Sequence, residues 1–409
     1  MALVDALRCR ECGRTYEISP RYACEWCFGP LEVAYDYDAI AAAVTRESIA
    51  TGPPTIWRYA DLLPVEEPTG ALPVGWTPLV RADRLAEALG LGEVWVKDDT
   101  RNPTNSFKDR VVAVALAKAL DFGLKTIACA STGNLANAVA GASARAGLPS
   151  YVFVPADLEP AKVRATAVYG ATVVAVDGNY DDVNRLCAEL TAEHPWAFVN
   201  VNVRPFYAEG SKTLAFETAE QLGWQAPDHV VVPVGSGALL TKIDRGFEEL
   251  TRVGLLDEAR VRVSGAQAAG CSPVATAFAE GTDTVRPVKP STIAKSLAIG
   301  DPADGVYALD TVRRTGGGLV SVTDDEIRDG IGLLARTEGI FGETAAGVTI
   351  ASLRRLAAEG VVRPDERVVV YVTGHGLKTL DALGEGVGPT ATIQPTLDAF
   401  RAAFPTAQR

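Results

Sequence analysis

The sequence predicts an α/β fold with two doubly wound domains and a small cysteine-containing unit at the N-terminus. Runs of β-branched residues alternate with helical patterns of ten or more residues, which is typical of parallel sheets covered by helices on both faces. The length of 409 residues exceeds what one hydrophobic core usually supports, which favours two large domains. Polar or glycine-rich loops follow three predicted strands, the position where open α/β sheets bind ligands.

The composition is that of a globular protein that binds neither nucleic acid nor membranes. The formal net charge is −12, and no dense run of Lys and Arg interrupts the acidic background. No apolar stretch is long enough to span a bilayer, and the N-terminus lacks the apolar region of a secretory signal. We therefore expect a cytoplasmic protein whose seven cysteines are thiols or metal ligands rather than disulfides.

Residues 1–36 are predicted to form a zinc-ribbon-like unit. Two C-x-x-C pairs lie eleven residues apart, and each pair can offer two thiolates from one tight turn. The four predicted ligands of a structural zinc ion are Cys9, Cys12, Cys24 and Cys27. The segment is too short to bury much apolar surface, so a metal would supply stability that a core cannot. The alternative is a ribbon of four reduced thiols that has lost its metal.

The remaining chain is predicted to divide at residues 95 and 205. Residues 37–95 are an N-terminal extension and part of the large domain, residues 96–205 a smaller α/β domain, and residues 206–409 the larger α/β domain, which contains the glycine-rich loop described next. The hydrophobic patterns predict helices over 110–123 and 135–147. The predicted strands are 93–99, 126–130, 150–155, 171–176, 229–234 and 366–372.

The loop G-S-G-A-L is predicted to bind a phosphate monoester. Its small residues allow successive backbone N–H groups to turn towards one anion at a helix N-terminus. Its residues are Gly235, Ser236, Gly237, Ala238 and Leu239. The alternative is a small-residue turn that serves only the packing of a strand against a helix.

The loop S-T-G-N has the same position after a predicted strand. Ser131 and Thr132 could hold a carboxylate, and the amide of Asn134 could donate a hydrogen bond to an anionic oxygen. The alternative is a helix N-cap, because Ser, Thr and Asn are common at helix starts.

Lys108 is the predicted catalytic residue. It lies where a turn bounded by proline enters an apolar helix, next to Phe107. A partly desolvated lysine has its ammonium form disfavoured, so a neutral amine becomes available to form a Schiff base with an aldehyde. An activated lysine together with a phosphate-binding loop indicates pyridoxal phosphate as the cofactor.

Five motifs resemble, in the same order, those of the threonine synthase family, which are pyridoxal-phosphate enzymes of the tryptophan synthase β type (fold type II). They lie between about residues 75 and 380 and read N-P-T-N-S-F-K-D-R, S-T-G-N, G-S-G-A-L, E-G-S-K-T-L-A-F-E and T-G-H-G-L-K. The resemblance implies that Lys108 bonds the cofactor, Asn134 its phenolic oxygen and Gly235 to Leu239 its phosphate. Thr373 would face the pyridine nitrogen, and a homodimer is expected.

The reaction implied by this resemblance converts O-phospho-L-homoserine and water to L-threonine and phosphate. Ser131 and Thr132 would hold the substrate carboxylate, and Asn202, Arg204 and Lys212 its phosphate, unless the two cations are ordinary surface charges. The alternative enzyme is a β-replacement or β-elimination catalyst that resembles cysteate synthase or serine/threonine dehydratase. An adaptor attached to an inactive enzyme is the alternative from another class, which the intact Lys108 disfavours.

Overall fold

The computed structural model describes residues 3–131, 133–158, 160–178, 180–257, 260–384 and 387–405, without the side chain of Asp181. The strands are β1 (Val4–Cys9), β2 (Thr15–Tyr16), β3 (Leu31–Tyr35), β4 (Leu79–Arg81), β5 (Glu93–Asp98), β6 (Ile127–Ala130), β7 (Ser150–Pro155), β8 (Thr172–Val176), β9 (Ala197–Phe198), β10 (His229–Pro233), β11 (Arg262–Ala268), β12 (Leu319–Val322) and β13 (Arg367–Val372).

The α-helices of the same residues surround these strands. They are α1 (Tyr37–Ala43), α2 (Arg46–Ala50), α3 (Asp83–Leu89), α4 (Lys108–Asp121), α5 (Asn134–Ala146), α6 (Pro160–Ala167), α7 (Tyr180–Glu193), α8 (Arg204–Glu209), α9 (Thr213–Gln221), α10 (Ala238–Arg252), α11 (Pro273–Ala279), α12 (Gly305–Thr315), α13 (Asp324–Glu338), α14 (Thr344–Ala358) and α15 (Leu397–Ala403). The described residues contain no helix with the length and apolar character needed to cross a membrane.

The larger sheet has the strand order β12-β11-β10-β13-β5-β4. Its strands are parallel except for β4, which pairs antiparallel with β5 at one edge. The central strands β10 and β13 are valine runs buried on both faces, as expected of a sheet covered by helices. The helices α10 and α14 pack against this sheet. The predicted α/β class is confirmed.

The smaller sheet has the order β8-β7-β6-β9, and all its strands are parallel. The helices α5 and α7 pack against it. This sheet lies within residues 96–205, whereas the larger sheet takes strands from both 79–98 and 229–372. The division into units at residues 36, 95 and 205 remains a proposal, and β5 crosses the boundary at 95.

The N-terminal ribbon is a three-stranded antiparallel sheet with β1 at its centre. Its buried side chains, Leu7 and Val33 among them, belong to the same apolar cluster as α4, α5 and α8. The ribbon is therefore packed onto the rest of the chain through apolar contacts, and β3 lies against α8. This contact brings the ribbon close to the cavity described below.

Candidate active site

Lys108 is the first residue of α4 and is held in place by a neighbouring loop. The backbone N–H of Phe107 donates to the carbonyl of Thr373 (2.9 Å), and that of His375 donates to the carbonyl of Asn105 (3.1 Å). Asn105 has a φ of +61°, a left-handed conformation that asparagine tolerates better than most residues. The turn before Lys108 is thus tied to the loop that follows β13.

The three predicted loops line one cavity of about 430 Å³, together with Lys108. S-T-G-N follows β6, G-S-G-A-L follows β10, and T-G-H-G follows β13. The lining residues from these loops are Ser131, Gly133, Asn134, Gly235, Ser236, Gly237, Ala238, Leu239 and Thr373. Their position at the carboxyl ends of parallel strands is the one where α/β folds bind ligands.

The amine of Lys108 is half-buried beside aromatic side chains. Its Nζ donates a hydrogen bond to the phenol oxygen of Tyr207 (2.8 Å) and lies 4.6 Å from the ring centre of Phe107. Burial lowers the pKa of Lys108 to about 8, and the negative charge of Glu343 acts in the opposite direction. About a tenth of this amine is therefore neutral at about pH 7, far more than in an ordinary lysine.

The glycine-rich loop fits a phosphate group because it leads into a helix N-terminus at the cavity, and its backbone is closely packed at Gly237. Gly237 has a φ of +96°, and a Cβ there would lie 2.6 Å from the carbonyl oxygen of Asp304. The backbone N–H of Asp304 donates to the carbonyl of Ser236 (2.8 Å), which fixes the loop. The adjacent helix α10 begins at Ala238, so its free N–H groups lie at the cavity.

Among the described residues, the hydroxyl of Ser296 is a further cavity-lining group without a hydrogen-bond partner. A buried polar atom of this kind is stabilised by a bound polar ligand. The lysine, the glycine-rich loop and this orphaned hydroxyl together fit a phosphorylated aldehyde of the size of pyridoxal phosphate.

Glu343 is a site residue that the sequence analysis did not single out. It is 2% exposed and lines the cavity, and its Oε1 and Oε2 both accept from the Nδ2 of Asn134 (2.9 and 3.0 Å). Burial raises its pKa, while the hydrogen bond from Asn134 and the charges of Lys378, Lys162 and Lys108 act against this rise. The backbone comes close at Gly374, where a Cβ would lie 2.4 Å from the Glu343 carboxylate.

Two predicted substrate residues lie at the cavity. Ser131 lines it, and its Oγ accepts from the backbone N–H groups of Gly133 (3.1 Å) and Ala136 (2.9 Å), whereas the N-cap residue of α5 is Gly133. Arg204 also lines it and pairs with Asp304 at 2.5 Å. Thr132 lies outside the described residues.

The structure places the other two predicted phosphate ligands away from the cavity lining. Lys212 is fully buried between Glu209 (2.5 Å) and Glu249 (2.8 Å), so its charge is already compensated. Asn202 satisfies the backbone of a turn, because its Oδ1 accepts from Phe198 and its Nδ2 donates to Trp196. The amide that lines the cavity from this segment is Asn200.

The four N-terminal cysteines form one cluster. Their sulfur atoms all lie within 4.8 Å of one another, with Cys9 and Cys27 at 3.5 Å and Cys12 and Cys24 at 3.6 Å. Sulfur atoms around a tetrahedral zinc ion with Zn–S bonds of about 2.3 Å lie about 3.8 Å apart. The spacing of the cluster fits this geometry.

Comparisons with known proteins identify the family. The pyridoxal-phosphate dependent enzyme family matches residues 71–374. The chain is 40% identical to a threonine synthase of Methanocaldococcus jannaschii over 92% of this chain and 93% of the relative. The chain belongs to the threonine synthase family. A threonine synthase of Methanosarcina acetivorans is 39% identical over 97% of this chain and 98% of its own.

Solved structures with lower identity share the fold of this threonine synthase family member. A diaminopropionate ammonia lyase from Escherichia coli superposes with a TM-score of 0.65 and 20% identity over 96% of this chain and 100% of its own. A threonine deaminase from Solanum lycopersicum does so with a TM-score of 0.62 and 19% identity over 86% and 93%. Fold type II and a pyridoxal-phosphate-dependent lyase, both expected from the sequence, are confirmed.

Proposed function

We propose that the enzyme converts O-phospho-L-homoserine and water to L-threonine and phosphate at the cavity around Lys108. The observation that carries this proposal is the identity of 39–40% with two threonine synthases over more than nine-tenths of each chain. The cavity adds the two groups that this chemistry requires, a lysine with a lowered pKa and a loop suited to phosphate.

We propose that Gly235 to Leu239 hold the cofactor phosphate and that Lys108 bonds its aldehyde. Thr373 would face the pyridine nitrogen, and Asn134, oriented by Glu343, would donate to the phenolic oxygen. When bound, pyridoxal phosphate withdraws electrons from the Cα of the attached amino acid, which makes the Cα proton removable.

Lys108 is the proposed proton carrier of the reaction. Its Nζ, once neutral, removes a proton from Cα of the substrate and then one from Cβ, since one amine can reach neighbouring carbons. The Cγ–O bond breaks and phosphate leaves with its electron pair. The amine then returns a proton to Cγ, which becomes the methyl group. Water bonds to Cβ through its oxygen and gives up one proton, and a proton returns to Cα. Tyr207 holds the amine at the cavity wall through its 2.8 Å hydrogen bond.

Ser131 and Arg204 are the proposed contacts to the two anionic groups of the substrate. Ser131 and the N-terminus of α5 suit the carboxylate, because the backbone N–H groups there can donate to an anion. Arg204 suits the substrate phosphate, because a guanidinium forms charge-assisted hydrogen bonds with phosphate oxygens. Thr132 stays a proposed carboxylate contact on the sequence alone.

We further propose that Cys9, Cys12, Cys24 and Cys27 hold a structural zinc ion, which the spacing of their sulfur atoms supports. With four protein ligands no position stays open, so this metal would stabilise the ribbon and take no part in bond making. A homodimer in the cytoplasm, with no nucleic acid or membrane partner, completes the proposal and follows from the resemblance and the acidic charge.

The test measures phosphate release from O-phosphohomoserine and, in separate assays, phosphate release from O-phosphoserine and keto acid formation from threonine. We expect turnover of O-phosphohomoserine to threonine, and little phosphate from O-phosphoserine. Efficient release from O-phosphoserine would instead favour a β-replacement enzyme, and formation of a keto acid from threonine would favour a dehydratase.

A further inference from the structure

The ribbon forms part of the wall of the active-site cavity. Arg10, Tyr22 and Glu32 line the same cavity as Lys108 and the glycine-rich loop. Arg10 belongs to the first cysteine pair, since it directly follows Cys9. Its backbone N–H donates to the carbonyl of Pro30 (3.0 Å), which joins the segments that carry the two cysteine pairs. The position of Arg10 therefore depends on the fold of the four-cysteine cluster.

The side chain of Arg10 reaches from the ribbon to the start of α12. Its Nε pairs with Glu32 at 2.6 Å, and its guanidinium lies 3.6 Å from the ring centre of Tyr307. Its Nη1 lies 3.7 Å from the carboxylate of Asp304. The neighbouring Glu11 accepts a hydrogen bond from the hydroxyl of Tyr307. Arg10 and Glu11, the two residues between Cys9 and Cys12, thus both contact α12.

Asp304 is the residue through which this contact meets the glycine-rich loop. Its side chain is shared between Arg10 and Arg204, and the residue is only 6% exposed. Its backbone N–H donates to the carbonyl of Ser236, and its own carbonyl lies against Gly237. A shift of Asp304 would therefore move the loop whose N–H groups point to the cavity.

We propose that the metal-bound ribbon holds the cofactor-phosphate loop in place through Arg10 and Asp304, so that metal binding and cofactor binding strengthen each other. Arg10 is a positioning residue in this arrangement. Its guanidinium pairs with Glu32 and Asp304 and stacks on the ring of Tyr307, so it acts on the loop through Asp304. The inference rests on the proposed zinc ligands and on the proposed phosphate role of Gly235 to Leu239.

Reciprocal coupling of two ligands gives a test that does not depend on turnover. The cofactor is removed from the full-length enzyme, and its dissociation constant is measured by visible absorbance with zinc bound and after chelation. We expect chelation to weaken cofactor binding about tenfold. The affinity for zinc, measured by competition with a chelating dye, should fall by the same factor when the cofactor is removed.

Variants at Arg10 separate coupling from general loss of structure. Arg10→Gln should reduce the ratio of the two cofactor dissociation constants from about ten towards one, and Arg10→Lys, which keeps the charge, should restore part of it. The matched control is Arg14→Gln, because Arg14 lies in the same ribbon but stacks on Trp26 away from the cavity. This control should keep the wild-type ratio.

The outcomes distinguish this inference from the function proposed above. Zinc and cofactor that both bind, but with affinities independent of each other, would overturn the coupling and leave the function in place. Absence of zinc from protein prepared with added zinc would overturn the coupling together with the metal assignment. An equal loss of coupling in Arg14→Gln and Arg10→Gln would show that Arg10 has no specific part in it.

Discussion

Two lysines near the same helix, Lys108 and Lys212, lie in opposite electrostatic surroundings. The Nζ of Lys108 donates to a neutral phenol at the edge of a cavity. Lys212 is enclosed by Glu209 and Glu249, and Lys242 also pairs with Glu209 at 2.7 Å. Burial would raise the pKa of Glu209, but these two lysines hold it below its ordinary value.

The difference shows what makes a buried lysine reactive. Burial lowers the pKa of Lys108, whose close polar contact is a phenol, whereas Lys212 forms two ion pairs within 3 Å. The surroundings of Lys108 favour a reactive amine, and the ion pairs of Lys212 stabilise the packing of β3, α8 and α10. Four predictions test this contrast.

Replacement of Lys108 should have the largest effect. We expect Lys108→Ala to remain folded, to lose the covalent cofactor, and to lose activity by about 10³-fold or more, because the proton carrier is gone. Phosphate release and the visible absorbance that borohydride bleaches measure the two losses. Lys125→Ala, at an exposed position beyond the same helix, is the control. Substantial residual turnover in Lys108→Ala would contradict the role given to this amine.

Replacement of Lys212 should destabilise the protein rather than change its chemistry. Lys212→Met leaves Glu209 and Glu249 buried beside each other without this cation, and breaking such a buried pair costs about 3–5 kcal/mol. The free energy of unfolding in urea measures the loss, with the exposed Lys289→Met as the control. A Lys212→Met variant that is stable but has a raised KM for the phosphorylated substrate would show that Lys212 binds the substrate.

Removal of the charge of Glu343 should lower activity by less than the loss of Lys108 does, and it should shift the pH dependence of activity. In Glu343→Gln the Asn134 amide loses a charged acceptor, a loss we expect to lower activity roughly tenfold. The carboxylate opposes the lowering of the Lys108 pKa, so without it that pKa falls further. The acid limb of the pH profile should move to lower pH. Glu359→Gln, at an exposed position, should leave this limb unchanged.

The smallest effect concerns the pH dependence of cofactor attachment. Only the neutral amine of Lys108 bonds an aldehyde, and its pKa is about 8. The rate of attachment to cofactor-free enzyme should therefore rise about fivefold between about pH 7 and pH 8 and level off above that. Stopped-flow absorbance measures this rate. A rate of attachment that still rises tenfold per pH unit towards about pH 10 would mean that the amine of Lys108 is not desolvated.

The sequence was sufficient to predict the parts of the site that depend on local pattern. Strand ends, helix starts and small-residue loops are all encoded within about ten residues, so the predicted loops could be placed on one edge of each sheet. The apolar helix after Lys108 was predicted over 110–123, and α4 extends two residues further towards the N-terminus, so that it begins at Lys108 itself.

The parts that could not be predicted depend on partners far away in the chain. Lys212 and Arg204 are both cations in the segment after β9, and the sequence does not distinguish their surroundings. In the structure, Lys212 pairs with glutamates of the core, whereas Arg204 lines the cavity. Asn202 was predicted to bind the substrate phosphate, but the asparagine that lines the cavity is Asn200, two residues earlier. Glu343 meets Asn134 across 209 residues, and no local pattern encodes that contact.

The tight fit between Gly237 and Asp304 limits how this enzyme can be redesigned. A side chain at position 237 would need both a strained backbone and a displaced α12, since the gap to the Asp304 carbonyl is already filled. Enlarging the loop by substitution would require a simultaneous change near residue 304, so single-site libraries at position 237 should yield almost no functional clones.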